Sequence, residues 1–394
     1  MRTTLAAFSL ALLVGTTPLA ANEVSAWRGF VADSQTGAVS VVDLLDGTVL
    51  ERFELAGPGR LYAGPSGRYA FVVQQAANQV AVLDGGIAFE DHGEHDDIEV
   101  TAPALLPVVI EGAEPVHFNT GAGTVAVFFD GDGTAGLWRE ADLVEGKVEP
   151  LTTLSTAGAH HGVAKPLGDL VALSVPTPGE RLPDAVALVD HAGSKVVEVP
   201  CARLHGEGAT NRFTAFGCAD GVAVFDAGTQ PPTGRFLAYG TDLPGERMVR
   251  NLRGAAHHTV LFGDFGVDGM VVIDPSAEAG DMTFVALPAP RMHFAMNPEP
   301  GDVAFVLVAD GRLLKLSAFT GRLLAEASVT APYSMERGVV RPRVATAGPL
   351  VLVSDPAAGE VIVLEADDLQ ELRRVPVGGQ PFDVLVLGGT GHAH

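Results

Sequence analysis

One sequence phrase returns about every 45 residues and limits the folds that this chain can adopt. Each copy has a Gly or Pro turn, an alternating strand of Val, Ala, Leu and Phe, a polar turn, and a second strand ending in Asp. Examples are "GRYAFVVQQAANQVAVLDGG" (67–86) and "HTVLFGDFGVDGMVVIDPS" (258–276). The strands span about four to seven residues, and helical periodicity is almost absent. This pattern predicts an all-β chain, a β-propeller of four-stranded blades.

The two ends of the chain hold complementary parts of one blade. Seven innermost strands are predicted to start near Arg60, His117, His161, His205, Arg253, His293 and Arg337. The segment "GGQPFDVLVLGG" adds an innermost strand without partners, whereas "WRGFVADSQTGAVSVVDLLDGTVLERFEL" supplies three outer strands without an innermost one. We therefore predict eight blades, with seven as the alternative, closed by pairing of the N-terminal strands with the C-terminal strand. Closure removes exposed sheet edges.

Residues 1–21 have the features of a secretory signal peptide: Arg2, an apolar run from Leu5 to Val14, and small residues at Ala20 and Ala21. No later stretch has the roughly 18–20 apolar residues of a membrane helix. We expect residues 22–394 to form a single propeller domain, a soluble monomer of the bacterial periplasm. The 25 basic and 48 acidic residues give a net charge of −23. That charge disfavours nucleic acid and anionic membranes as partners and favours cations.

The two cysteines, Cys201 and Cys218, flank the first and second strands of one repeat. Those strands are expected to be antiparallel neighbours, which brings α-carbons within disulfide reach. Because exported chains meet oxidising conditions, we predict a disulfide near the channel. A pair of thiolate metal ligands is the alternative.

Histidines recur where the innermost strands begin. Four of these positions have a histidine, at His117, His161 or its neighbour His160, His205 and His293, and two have Arg60 and Arg253. Innermost strands line the central channel of a propeller, so these side chains are expected to converge. Three or four imidazoles make a zinc site. Glu207 shares the strand face of His205 and is predicted as a fourth ligand or an orienting partner.

Other interpretations of the channel positions stay open. A single histidine at the start of a strand is more often a turn or core residue that hydrogen-bonds to the backbone. The guanidinium groups of Arg60 and Arg253 repel a cation, so they favour salt bridges with carboxylates or recruitment of an anion.

The segment "EDHGEHDDIE" (90–99) is a second concentration of metal-ligating side chains. It is predicted to be a mobile loop that captures or transfers metal, with His92, His95, Asp91 and Asp97 as ligands. A solvated acidic loop is the simpler alternative. The C-terminal segment 388–394 is predicted to be a flexible tail containing His392 and His394. The pair His257–His258 is a weaker candidate.

The leader, the repeat, the acidic histidine segment and the channel histidines together resemble the AztD family of periplasmic zinc metallochaperones, which are associated with zinc ABC importers. The phrases "LHGEG" and "HHTVLFGDFGVDGMVVID" carry the similarity, which extends over the whole mature chain. The resemblance implies that the chain binds Zn(II) tightly and passes it to the solute-binding protein of the importer.

The lead hypothesis from the sequence is therefore a zinc carrier rather than an enzyme. One alternative is a metal-dependent hydrolase or lactonase, for which Glu207 is the one candidate base, since no Ser/His/Asp elbow is present. A second alternative is a metal-free propeller that docks proteins, which leaves the recurrent histidines unexplained. A haem-carrying propeller is excluded because the chain has no CxxCH motif.

Overall fold

The computed structural model describes residues 22–93, 96–245, 247–255, 258–277, 281–298 and 302–393. The predicted signal peptide, His95, His257 and His394 lie outside these ranges. Within them, no helix is both long and apolar enough to cross a membrane.

The described chain forms eight sheets arranged as an eight-bladed β-propeller, which confirms the predicted fold and blade number. The N-terminal segment contributes β1 (Asn22–Asp33), β2 (Ala38–Asp43) and β3 (Val49–Glu54). Blade 1 follows with β4 (Arg60–Ala63), β5 (Tyr69–Gln74), β6 (Gln79–Asp84), an inserted hairpin of β7 (Ile87–Asp91) and β8 (Asp96–Val100), and then β9 (Ala104–Glu111). A 3-10 turn, Gln75–Ala77, separates β5 from β6.

Blades 2 to 4 each have four consecutive antiparallel strands. Blade 2 has β10 (Pro115–Gly121), β11 (Thr124–Phe129), β12 (Thr134–Arg139) and β13 (Thr152–Ser155), with the short helix α1 (Glu140–Val144) before β13. Blade 3 has β14 (Ala164–Leu167), β15 (Leu170–Val175), β16 (Ala185–Asp190) and β17 (Lys195–Pro200). Blade 4 has β18 (Glu207–Ala209), β19 (Phe213–Gly217), β20 (Gly221–Asp226) and β21 (Thr233–Ala238).

Blades 5 to 7 repeat this order, and the last strand closes the ring. Blade 5 has β22 (Leu252–Arg253), β23 (Leu261–Asp264), β24 (Gly269–Asp274) and β25 (Asp281–Ala286). Blade 6 has β26 (Arg291–Met296), β27 (Val303–Val308), β28 (Arg312–Ser317) and β29 (Leu323–Ser328). Blade 7 has β30 (Val344–Ala347), β31 (Leu350–Asp355), β32 (Glu360–Glu365) and β33 (Glu371–Pro376), and β34 spans Pro381–Ala393.

Blade 8 joins the two ends of the described chain, as the sequence predicts. Strand β34 pairs antiparallel with β1, with Val31 opposite Val384 and Phe30 opposite Leu385. The sheet then continues through β2 to β3, so β34 is the innermost strand of this blade.

The core lies between the faces of neighbouring blades. The middle strands are covered on both sides, so every residue of β27 is buried. In contrast, the outermost strand β29 has only exposed and partly buried residues. Phe71 of blade 1 packs on Phe118 of blade 2 with ring centroids 4.7 Å apart. Burying a side chain of this size contributes roughly 1.5–3 kcal/mol. These blade-to-blade contacts hold the innermost strands around the channel.

The acidic histidine segment is a paired hairpin, not the mobile loop that the sequence analysis expects. Strands β7 and β8 are antiparallel, with Glu90 opposite Asp97. Strand β8 also pairs in parallel with β34 at His392 and Asp97. In place of the predicted flexible tail, the chain continues β34 to Ala393. Backbone pairing with β1 along this whole stretch is the physical reason.

Candidate metal site

Three histidines from three consecutive blades meet at one wall of the channel, which we call the histidine wall. His117 lies on β10, His161 precedes β14, and His205 precedes β18. The Nε2 atoms of His117 and His161 are 3.3 Å apart. The ring centroids of His161 and His205 are 5.4 Å apart. The blade repeat therefore brings together three of the four histidines that the sequence analysis expects to converge, although they are far apart in sequence.

The outer nitrogen of each imidazole on the histidine wall faces an acceptor. Nδ1 of His161 lies 2.6 Å from Oδ2 of Asp130, and Nδ1 of His205 lies 2.9 Å from the carbonyl oxygen of Arg250. Nδ1 of His117 lies 3.7 Å from Oε2 of Glu207. With the proton on Nδ1, each ring leaves Nε2 as a lone-pair donor. This is the arrangement in which protein histidines bind zinc.

Burial also favours the neutral imidazole that a metal requires. Desolvation lowers the pKa of His117, although the nearby Glu207 carboxylate acts in the opposite direction. A neutral ring at neutral pH needs no deprotonation before it can bind a metal.

The local backbone explains how His205 and Glu207 reach the channel. Gly206 between them has φ +77°, and a Cβ at this position would lie 2.0 Å from the carbonyl oxygen of Arg250. Only glycine tolerates this close approach to the next blade. The same carbonyl accepts the His205 hydrogen bond.

His160 does not join the histidine wall. Its side chain is 5% exposed and packs edge-on against Phe128. Nδ1 lies 2.9 Å from the carbonyl oxygen of Gly158, and Nε2 lies 2.8 Å from Oγ of Ser174. Both ring nitrogens are therefore engaged in hydrogen bonds, and His161 is the neighbour that faces the channel.

His293 also lies apart from the other three histidines. It is surrounded by arginines, and Nε2 lies 3.4 Å from Nη1 of Arg343. Burial, followed by the charges of four arginines, lowers its pKa well below the ordinary value; these are Arg343, Arg253, Arg291 and Arg60. We call Arg60, Arg253 and Arg343 the arginine wall.

The β7–β8 hairpin brings two of the predicted ligands, His92 and Asp97, into contact. Nε2 of His92 lies 3.1 Å from Oδ2 of Asp97. The Asp91 carboxylate accepts a hydrogen bond from the backbone of Gly93 at 2.6 Å. His392 lines the same shallow cavity as Glu90, Asp97 and Glu99. His258 is buried elsewhere, with Nε2 3.1 Å from Oδ1 of Asp302.

Cys201 and Cys218 form the predicted disulfide. The bridge flanks the segment that leads into β18, where the backbone N–H of His205 donates to the carbonyl oxygen of Gly217 at 3.0 Å. The disulfide therefore anchors the chain on both sides of His205.

Relatives of known name share both sequence and structure with this chain. Zinc chaperone AztD of Citrobacter koseri (strain ATCC BAA-895 / CDC 4225-83 / SGSC4696) is 34% identical over 377 residues, which cover 94% of this chain and 89% of that protein. The chain belongs to the AztD zinc chaperone family. The crystal structure of Citrobacter koseri AztD superposes with a TM-score of 0.89 at 34% identity, covering 94% of this chain and 100% of that one.

A structure of apo AztD from Citrobacter koseri matches with a TM-score of 0.86 at 33% identity, covering 94% of this chain and 100% of that one. No protein-family profile matches the chain. The name that the AztD relative carries is that of a metal carrier and not of an enzyme.

Several residues near the AztD-family channel escape sequence reasoning. Asp130 follows β11 in a "DGDG" turn and orients His161. Because many strands of this chain end in Asp, the sequence does not distinguish this aspartate from the others. Arg343, not Arg337, directly precedes the innermost strand of blade 7. Lys165 on β14 and Asp383 on β34 line the channel cavity as well. No pattern in the sequence distinguishes these residues from other polar residues at the ends of strands.

Proposed function

We propose that this AztD-family chain is a periplasmic metallochaperone that holds Zn(II) with His117, His161 and His205 and passes it to the solute-binding protein of a zinc ABC importer. The observation that carries the proposal is the histidine wall, with each Nδ1 facing an acceptor. Family membership supports zinc as the cargo.

The spacing of the imidazoles fits the proposed cargo. Two nitrogens bound to one zinc at 2.0–2.1 Å in tetrahedral geometry lie about 3.3–3.4 Å apart. The Nε2 atoms of His117 and His161 lie 3.3 Å apart. In the part of the chain that the structure describes, no three metal-ligating side chains already surround a common point. In our proposal, His205 turns toward the pair when zinc binds.

Glu207 serves in this proposal to orient His117 rather than to ligate zinc. Its carboxylate lies on the Nδ1 side of the ring, away from the Nε2 that faces His161. That position also gives little support to Glu207 as the base of a hydrolase, since a metal-bound water would lie on the Nε2 side. His160 and His293 are left out of the ligand set because of their other contacts.

The proposed release of zinc to a partner requires that the partner's ligands can reach the metal. The side chains of His117 and His161 are 18% and 15% exposed, so a partner ligand can reach the metal. Transfer then proceeds by stepwise ligand exchange. The β7–β8 hairpin, with His92, His95, Asp91 and Asp97, is proposed as a weaker capture or docking element.

The test is a transfer assay. Zinc-loaded protein is mixed with a zinc-free solute-binding protein in the presence of a chromophoric chelator that reports free zinc. We expect the partner to gain zinc while the chelator signal stays flat. Transfer that passes through the chelator would contradict direct hand-over. A His117→Ala/His161→Ala/His205→Ala variant should not load, whereas His293→Ala should load and transfer as the parent does.

A further inference from the structure

The arginine wall is a second part of the channel, and it carries a concentration of positive charge. Arg60 begins β4, Arg253 ends the two-residue strand β22, and Arg343 directly precedes β30, so the three arginines belong to the innermost strands of blades 1, 5 and 7 or lie beside them. All three lower the pKa of His293 through their charge, so they lie around one side chain. The chain has a net charge of −23. The positive charge of this cluster is therefore a local exception in an acidic chain.

The carboxylates near the arginine wall do not balance its charge. Arg291 is neutralised by Asp264, with Nη2 and Oδ2 2.8 Å apart. Asp383 is the carboxylate that pairs with Arg343, at a longer 3.3 Å. Its second oxygen accepts the backbone N–H of Leu61 at 3.1 Å. Among the residues that the structure describes, Arg60 and Arg253 take part in no salt bridge.

The guanidinium of Arg60 has lost much of its contact with water. Its Nη1 atom is buried and has no hydrogen-bond partner among the described residues. Its Cζ lies 5.0 Å from the centre of the Phe382 ring, which holds the group in place. Burial and then the charge of Arg343 lower the pKa of Arg60, and the Asp383 carboxylate offsets only part of this effect. A buried, unpaired guanidinium is unfavourable unless an anion compensates it.

The three arginines face a cavity that is large enough for a small ligand. The channel cavity has a volume of about 520 Å³, and Arg60, Arg253, Arg343, His293 and Lys165 all line it. Pockets for small molecules have volumes of roughly 300–1,000 Å³. Glu207 lines the same cavity, which therefore extends from the arginines to the carboxylate beside His117.

We propose that the arginine wall binds a small multivalent oxyanion, with Arg60 and Arg343 as its main contacts. A guanidinium offers parallel N–H groups that match two oxygens of a phosphate or a carboxylate. Nδ1 of the neutral His293 accepts from the backbone N–H of Val344 at 3.3 Å. Its Nε2 then carries the proton and can donate one hydrogen bond to the anion. The histidine wall and the arginine wall then bind ions of opposite sign, and any effect of one ion on the affinity for the other must be reciprocal.

The experiment is calorimetric titration of the zinc-free full chain with inorganic phosphate, and separately with citrate and with chloride. We expect saturable binding of phosphate or citrate but not of chloride. Binding of phosphate alone would identify an inorganic ligand, whereas binding of citrate alone would identify a carboxylate. No saturable binding of either, or equal binding of chloride, would overturn the proposal.

Variants locate the site. Arg60→Gln/Arg343→Gln should weaken oxyanion binding at least about 10-fold, since charge-assisted hydrogen bonds are lost. Arg312→Gln is the matched control, because Arg312 pairs with Asp310 and Glu326 at the surface and should leave binding unchanged. Arg60→Lys/Arg343→Lys keeps the charge and should give an intermediate loss. Unchanged binding in the Gln variant would place the anion elsewhere.

The proposal stands apart from the proposed zinc carrier. The His117→Ala/His161→Ala/His205→Ala variant should bind the oxyanion as the parent does when zinc is absent. An intact oxyanion site in a variant that loads no zinc supports two independent walls. Loss of the oxyanion in that variant would instead assign both ions to one site and overturn the inference.

Discussion

His117 and His293 occupy the same place in two blades and have different surroundings. Each is the third residue of an innermost strand, each is followed by Phe, and each lies at an irregularity in the pairing with the next strand. His117 faces a second imidazole, whereas His293 faces the guanidinium of Arg343. Position in the repeat therefore sets where a side chain points, and the neighbouring blade sets its chemistry.

The aspartates behind the two walls sharpen this comparison. Asp130 follows the second strand of blade 2 and accepts from His161 in blade 3. Asp264 ends the second strand of blade 5 and accepts from Arg291 in blade 6. The same carboxylate position thus fixes an imidazole on one side of the channel and neutralises a guanidinium on the other.

The largest expected difference comes from alanine at the two equivalent histidines. His117→Ala should weaken zinc binding at least about 100-fold, because loss of a ligand should exceed the 10–100-fold cost of losing an orienting partner. His293→Ala should change the zinc affinity less than about 3-fold, because His293 neither binds zinc in the proposal nor orients a ligand. Competition with a chromophoric chelator measures both. Equal losses would mean that the two histidines share one site.

Zinc should stabilise the fold through the histidine wall alone. At free zinc 100-fold above the dissociation constant, a single site adds about 2.7 kcal/mol to the free energy of unfolding. Denaturant unfolding with and without zinc should show this gain in the parent and in His293→Ala. If His117→Ala/His161→Ala keeps the full gain, the stabilising zinc binds outside the wall.

A smaller effect is expected from the aspartate that orients His161. Asp130→Asn should weaken zinc binding about 10–100-fold, because the ring loses its charged partner while its Nε2 remains. Titration of the variant tests this, with Asp226→Asn as the control for a surface carboxylate paired with Arg212. An affinity equal to that of the parent would show that Asp130 does not act on the metal.

The smallest effect concerns the acid stability contributed by His293. Its pKa is lowered in the folded state, so the unfolded chain binds more protons as pH falls below about 6.5. This histidine should therefore cost up to about 1.4 kcal/mol of stability between pH 7 and pH 5.5. Denaturant unfolding of the zinc-free His293→Gln variant should show a flatter dependence on pH. An unchanged slope would indicate that other groups dominate the acid sensitivity.

The fold follows from the sequence because its signals agree with one another. The repeat, the alternating strands and the unpaired strands at the two ends all indicate a closed ring, and β34 pairs with β1 accordingly. The sequence does not reveal the hairpin, because acidic strands such as β7 and β8 lack the apolar alternation that marks the other strands.

The side-chain environment is less accessible to sequence. Adjacent residues of an extended chain point in opposite directions, so one of His160 and His161 faces the channel, but the pattern does not say which. From sequence alone His293 is equivalent to His117, because Arg60, Arg253 and Arg343 come from other blades. The sequence places the start of blade 7 at Arg337, six residues before Arg343, because the segment before β30 has no strand pattern to mark its end.

The pairing of β34 with β1 also separates the two walls by how much of the ring each one requires. The imidazoles of the histidine wall come from three consecutive blades. The arginine wall needs Arg60 from blade 1 and Arg343 from blade 7, and Asp383, which pairs with Arg343, lies on the closing strand itself. The imidazoles therefore depend on one arc of the ring, whereas the arrangement of the guanidinium groups depends on ring closure.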